Sequence, residues 1–129
     1  MLIQIDAEPQ DFDYRPNKVI LNKFDIFLRV NVVPPDILLA QKIYAIFKRK
    51  RAMGRDFYDA VFLLGITRPN LDYMRLKLNF SSHADLRKKL LLKCKGLDLK
   101  QLAKDVEPFL FSPTDSKKVL LFKEYVKSL

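Results

Sequence analysis

Apolar and polar residues alternate over two stretches near the start of the chain. Met1 to Ala7 sets Ile3 and Ile5 against Gln4 and Asp6, and Ile26 to Val33 carries Ile26, Leu28, Val30 and Val32 at a period of two. Such alternation predicts strands with one face turned to a core. Lys18 to Leu21 is a shorter β-prone run, so three strands are expected in the first 33 residues. The segment EPQDFDYRPN, rich in Pro, Asp and Asn, predicts a loop between the first two, and Asn22 to Asp25 predicts a tight hairpin connection.

From Pro34 the period changes. Leu39, Ile43, Ile46 and Phe47 fall at i, i+4, i+7 and i+8, one face of a helix running from Asp36 to about Arg51. Gly54 then breaks the pattern, and a second helix opens at Arg55 and Asp56, burying Phe57, Val61 and Leu64 before Gly65 and Pro69 end it. The short connection predicts that these two helices pack antiparallel. Asn70, Ser82 and Asp98 each precede an apolar repeat and predict helix caps, with Asp85 three residues after Ser82 as a weak capping box. A last helix is expected from Asp115 or Ser116 with Val119, Phe122 and Val126 inward. Strands followed by helices predict an α+β fold: a short sheet (1–33), then a bundle of five or six helices (34–129). The first strand would form an unprotected sheet edge, available to a complementing segment or to a second copy in a homodimer.

Composition narrows the chemistry. A chain of 129 residues is one domain of ordinary size, and 49% hydrophobic against 30% charged residues with 3 glycines is a composition that folds. No apolar run has the roughly 20 residues of a membrane span, and no signal peptide is legible at the N-terminus, so a cytoplasmic location without membrane association is expected. One cysteine, Cys94, and one histidine, His83, exclude an internal disulfide and a Cys/His zinc site. Cys94 is expected buried and inert, and His83 exposed in the first turn after Ser82. The 24 basic and 15 acidic residues give +9, which favours an anionic partner such as a nucleotide or RNA. Two basic runs could contact phosphates, Lys48 to Arg51 and the cations Arg87, Lys88, Lys89, Lys93 and Lys95. The aromatics at 44, 47, 57, 58 and 62 have helical spacing and read as core, with the Tyr58 hydroxyl nearest to a cleft.

The densest signal lies between residues 38 and 64. Lys42, Ala45 and Arg49 share a stripe beside the buried face of the first helix, while Arg55, Asp56 and Asp59 occupy the first two turns of the next, Arg55 and Asp59 as i, i+4 partners. Rise per residue brings these carboxylates to Arg49 more readily than to Lys42. Cations at one helix end and acids at the next start also satisfy the helix dipoles, so a purely structural role fits the spacing equally.

The residues Leu38, Leu39, Ala40, Lys42, Ala45 and Arg49, followed by Arg55, Asp56, Tyr58, Asp59, Leu63 and Leu64, resemble the LLAxKxxAxxxR…RDxYDxxxLL signature of the AbiEii abortive-infection nucleotidyltransferase toxins. The segment DLKQLAKDVEPFL is similar to the C-terminal bundle of that family, so the resemblance spans most of the chain. It implies an NTP substrate, an RNA acceptor such as tRNA, an antitoxin, and Lys42 on the triphosphate with Arg49 and Arg55 beside it. Either Asp59 or Asp56 would complete the catalytic set. In the superfamily a Gly-Ser loop precedes a strand bearing Asp-x-Asp, whose carboxylates hold Mg²⁺, and no such unit is legible here; Asp6 resembles the third strand carboxylate and is the single expected metal ligand. The implied expectation is the C-terminal part of such an enzyme, inactive without a complementing segment. The alternative is a non-catalytic basic helical module that binds nucleic acid or a partner protein.

Overall fold

A computed structural model of the chain describes Gln4, Ile5 and residues 7–129. Its contacts divide it into two compact units, Met1–Val32 and Val33–Leu129. Most of the expected first strand, Met1 to Ile3 and Asp6, lies outside the described residues, and Gln4, Ile5 and Ala7 are not in a strand. Among the described residues the sheet is therefore two-stranded, β1 (Asn17–Lys23) paired antiparallel with β2 (Ile26–Val32).

The hairpin follows from its pattern. The register sets Val19 opposite Val30 and Leu21 opposite Leu28, so one face is apolar, while Lys18, Asn31 and Arg29 lie on the other beside Ile20 and Phe27. The connection is the two residues Phe24 and Asp25, at φ 52° and 59°. Both are left-handed, as the twist-matched two-residue turn requires. Asp tolerates this region better than Phe does, where the Cβ clash costs roughly 1–2 kcal/mol.

The second unit is helical: α1 (Pro35–Lys48), α2 (Gly54–Leu64), α3 (Leu71–Leu78), α4 (His83–Cys94), α5 (Leu99–Val106), a 3₁₀ turn (Glu107–Phe109), a 3₁₀ helix (Pro113–Leu121) and α6 (Phe122–Lys127). The three expected caps form: Asn70 Oδ1 accepts from the Tyr73 amide, Ser82 Oγ from that of Asp85, and Asp98 Oδ1 from Lys100 and Gln101. Asn70 also donates to Asp36 Oδ2 at 2.9 Å, which ties the start of α3 to the start of α1. His83 is half-buried and not exposed as expected, because its Nε2 donates to the Pro69 carbonyl at 3.1 Å. Cys94 is buried, and burial pushes its thiol up, opposed by nearby Lys123.

α2 is the hub, packed against α1, α5, the 3₁₀ helix and α6. Its Phe57 meets Phe122 of α6 edge to face at 4.9 Å, a contact worth about 0.5–1.5 kcal/mol beyond the burial of the rings. Gly54 opens the helix because nothing larger fits: a Cβ there would overlap the Leu102 carbonyl oxygen of α5. Leu39, Ile43, Phe57 and Val61 are buried as the period predicts, but Phe47 is only half-buried and packs edge to face on Phe80. The last expected helix differs in kind. Buried Ser116, Val119 and Phe122 recur every three residues, the period of a 3₁₀ helix, and the step to buried Val126 is four, where the α-helix resumes.

Candidate functional site

α1 and α2 are joined by a short loop and packed together, so their facing stripes form a ladder. Lys42 on α1 and Arg49 at its C-cap each meet a carboxylate of α2. Lys42 Nζ lies 2.6 Å from Asp59 Oδ2, and Arg49 Nε lies 2.7 Å from Asp56 Oδ2. Both cations find partners, Lys42 as well as the Arg49 that the helical rise favours. Asp59 is taken by Lys42, and among the described residues no carboxylate pairs with Arg55, which is exposed.

The two pairs differ in their surroundings. The Asp56 side chain is 3% exposed, its Oδ2 lacks a hydrogen-bond partner among the described residues, and the guanidinium contact is an ion pair without hydrogen-bond alignment. Arg49 is the C-cap residue of α1 and Asp56 sits in the first turn of α2, so this pair staples the loop between them. Lys42 and Asp59 are 28% and 40% exposed and line a cavity of about 330 Å³ with Leu38, Phe62 and Leu63. Asp59 also borders a second cavity of about 350 Å³, shared with Arg55, Tyr58 and Asp115. The four motif side chains thus form one pair with a buried carboxylate and one open pair.

The family model for the nucleotidyl transferase AbiEii toxin, of type IV toxin–antitoxin systems, matches residues 3–120 of the 129. The chain belongs to the AbiEii family. No match was found among curated proteins or solved structures. No helix among the described residues is long and apolar enough to cross a membrane.

The carboxylates decide whether a metal ion could be held here. Among the described residues no three His, Cys, Asp or Glu side chains gather as a metal site, and Asp6, the expected ligand, lies outside those residues. Of the two motif carboxylates only Asp59 is open enough to offer oxygen to Mg²⁺, and with an ammonium against it the described residues do not fit a two-magnesium centre. The sequence does hold one Asp-x-Asp spacing that its reading as a loop passed over, Asp11 and Asp13. Both are exposed on irregular backbone and Asp11 has φ 47°, so they lack the strand that would aim alternate carboxylates at one ion.

Two further features escaped the sequence reading. Lys48, Lys89 and Lys93, drawn from the two separate basic runs, converge on a cavity of about 510 Å³ floored by Phe47, Leu78, Phe80 and Leu92. Lys89 pairs with Asp85 and lies 4.5 Å from the Phe80 ring centre. Phe109 and Phe111, in contrast, stand 82% and fully exposed beside the cavity that Asp59 borders. Nothing in their apolar letters separates them from core residues; only the Pro108 and Pro113 that bracket them hint at a loop.

Proposed function

We propose that this chain supplies the lysine–aspartate part of a nucleotidyltransferase toxin site, at which a nucleotide passes from an NTP to an RNA acceptor, tRNA included. The observation that carries this reading is the Lys42–Asp59 pair, open on a cavity inside the family signature. A lysine ammonium has three donors, so Lys42 can keep Asp59 and still hold a phosphate oxygen. Asp59 then orients the cation, and neutralising phosphate charge at a fixed position is most of what such a transfer asks of a protein. Asp59 takes the active-site role and Asp56 the structural one. Arg55, exposed and without a carboxylate partner among the described residues, adds charge for the nucleotide.

Magnesium remains part of the proposal, with Asp6 as one ligand and the other carboxylates from a complementing N-terminal segment. An edge of the two-stranded hairpin takes the added strand of that segment or of a second copy, whose apolar residues would cover the face where Leu21 and Leu28 are 48% and 56% exposed. A cytoplasmic location and an antitoxin partner complete the reading.

The test is incubation with labelled NTPs, Mg²⁺ and total tRNA, with and without a segment carrying Gly-Ser and a strand-borne Asp-x-Asp. Transfer is expected only in the complemented mixture and is lost in Lys42→Ala. Robust, Lys42-dependent transfer by the chain alone would show the site complete, and transfer indifferent to Lys42 would refute its role. One observation favours a second reading: the convergence of Lys48, Lys89 and Lys93 suits non-catalytic binding of nucleic-acid phosphates.

A further inference from the structure

We propose that Phe109 and Phe111 form a stacking platform for the unpaired 3′-terminal nucleobase of an RNA strand, holding that end beside the Lys42–Asp59 pair. The identification of the ligand as an acceptor RNA rests on the nucleotidyltransferase reading; the platform itself rests on three observations.

The first is exposure. Phe109 is 82% exposed and Phe111 fully so, while the residue between them, Leu110, is half-buried and anchors the segment. The second is spacing. Leu110 is extended, at φ −99° and ψ 143°, and residues 109 and 111 flank it, both lining one cavity. At about 3.3 Å of rise per residue their Cα atoms are some 6.6 Å apart, roughly twice the 3.4 Å step of stacked bases, which is room for one base between two rings. The third is location. Both rings line the cavity of about 350 Å³ that Arg55, Tyr58 and Asp59 also line, and Asp59 is the residue that holds Lys42.

Charge completes the fit. Arg55 on this cavity and Lys117 on the adjoining 3₁₀ helix are exposed and have no carboxylate partner among the described residues, so both are free for phosphates. A strand end suits the site better than a free nucleotide. Small-molecule pockets enclose about 70–90% of their ligand, whereas this platform is open, and a base on it gains its hold from a strand tethered elsewhere through phosphates.

The experiment is a fluorescence anisotropy titration of the 129-residue chain with two labelled RNA hairpins, one with a short single-stranded 3′ tail and one blunt-ended. Wild type should prefer the tailed RNA. The double variant Phe109→Ser with Phe111→Ser should lose about ten- to a hundredfold on the tailed RNA and nothing on the blunt one. Phe109→Trp with Phe111→Trp should keep the preference, since stacking asks only for a ring. Absence of a preference in wild type, its survival in the serine variant, or equal losses on both RNAs would overturn the proposal. So would a wild type that self-associates through these residues, with the serine variant monomeric and unchanged in RNA binding, which would mark the patch as a protein contact. Lys42→Ala separates this proposal from the reading beneath it. If that variant binds a fluorescent nucleotide as well as wild type while the tail preference still depends on the two rings, the role of Lys42 falls and the platform stands. The reverse pattern removes the platform alone.

Discussion

Two ion pairs bridge the same two helices, and they do different work. Arg49 covers a carboxylate that is otherwise shut away from water, at the point where α1 ends and α2 begins. Lys42 holds a carboxylate that still faces solvent, over a cavity large enough for part of a ligand. A buried carboxylate needs its partner at all times, since an uncompensated charge in the interior is costly. The open pair gains little from its own attraction, because water screens it. The first pair is thus committed to the fold, and the second has charge to spare for a phosphate. Equal chemistry within one motif thus divides by depth into a pair that the fold needs and a pair that stays open to solvent.

The largest expected effect tests what holds the ladder in place. Gly54→Ala should destabilise the chain by more than about 3 kcal/mol, because backbone of α5 occupies the space of the added methyl group and α2 cannot start where it does. A melting temperature close to that of wild type would show that the approach of α2 to α5 is not close enough to matter. Next comes Arg49→Ala, which leaves Asp56 buried and unpaired. Its cost in denaturant unfolding should be about 2–4 kcal/mol, below the roughly 3–5 of a fully buried pair because Arg49 is 42% exposed. Lys42→Ala removes the same charge from the same helix but should cost under about 1 kcal/mol. Comparable losses in the two variants would erase the distinction.

The smallest effect concerns Asp85, an acid on α4 away from the ladder. A hydrogen bond from Lys89, with a second from the Ser81 amide, holds its carboxyl below the ordinary 3.8 against a weak opposing effect of burial. A lowered folded pKa stabilises above the unfolded value and stops doing so as pH falls through the folded one. Asp85→Asn should therefore melt slightly lower than wild type at neutral pH, and the gap should close once pH drops well below 3.8. A gap that persists in acid would assign the effect to packing.

Features decided by neighbouring residues were legible in the sequence. Asn70, Ser82 and Asp98 cap helices through their own side chains, and the hairpin turn falls between Asn22 and Asp25 because the apolar alternation flanks it. The 3₁₀ helix was not legible, since Val119, Phe122 and Val126 fit an α-helical face and only the burial of Ser116 reveals the period of three. The motif residues were likewise visible as a group, yet the division between Asp56 and Asp59 depends on how α1 meets α2, a tertiary property that no spacing contains. Phe109 and Phe111 make the same point from the other side, because an exposed phenylalanine and a buried one share a letter.

The central claim is that Lys42, and not general positive charge, receives the nucleotide. A fluorescent NTP titration of wild type, Lys42→Ala and Lys48→Ala tests it most directly, because both variants lose one lysine from α1 and the two lysines border different cavities. The account predicts that Lys42→Ala weakens binding by about tenfold, equivalent to roughly 1.4 kcal/mol, and that Lys48→Ala binds as wild type does. Equal weakening in both variants, or a larger loss in Lys48→Ala, would contradict it and move the site to the lysine-rimmed cavity over Phe80.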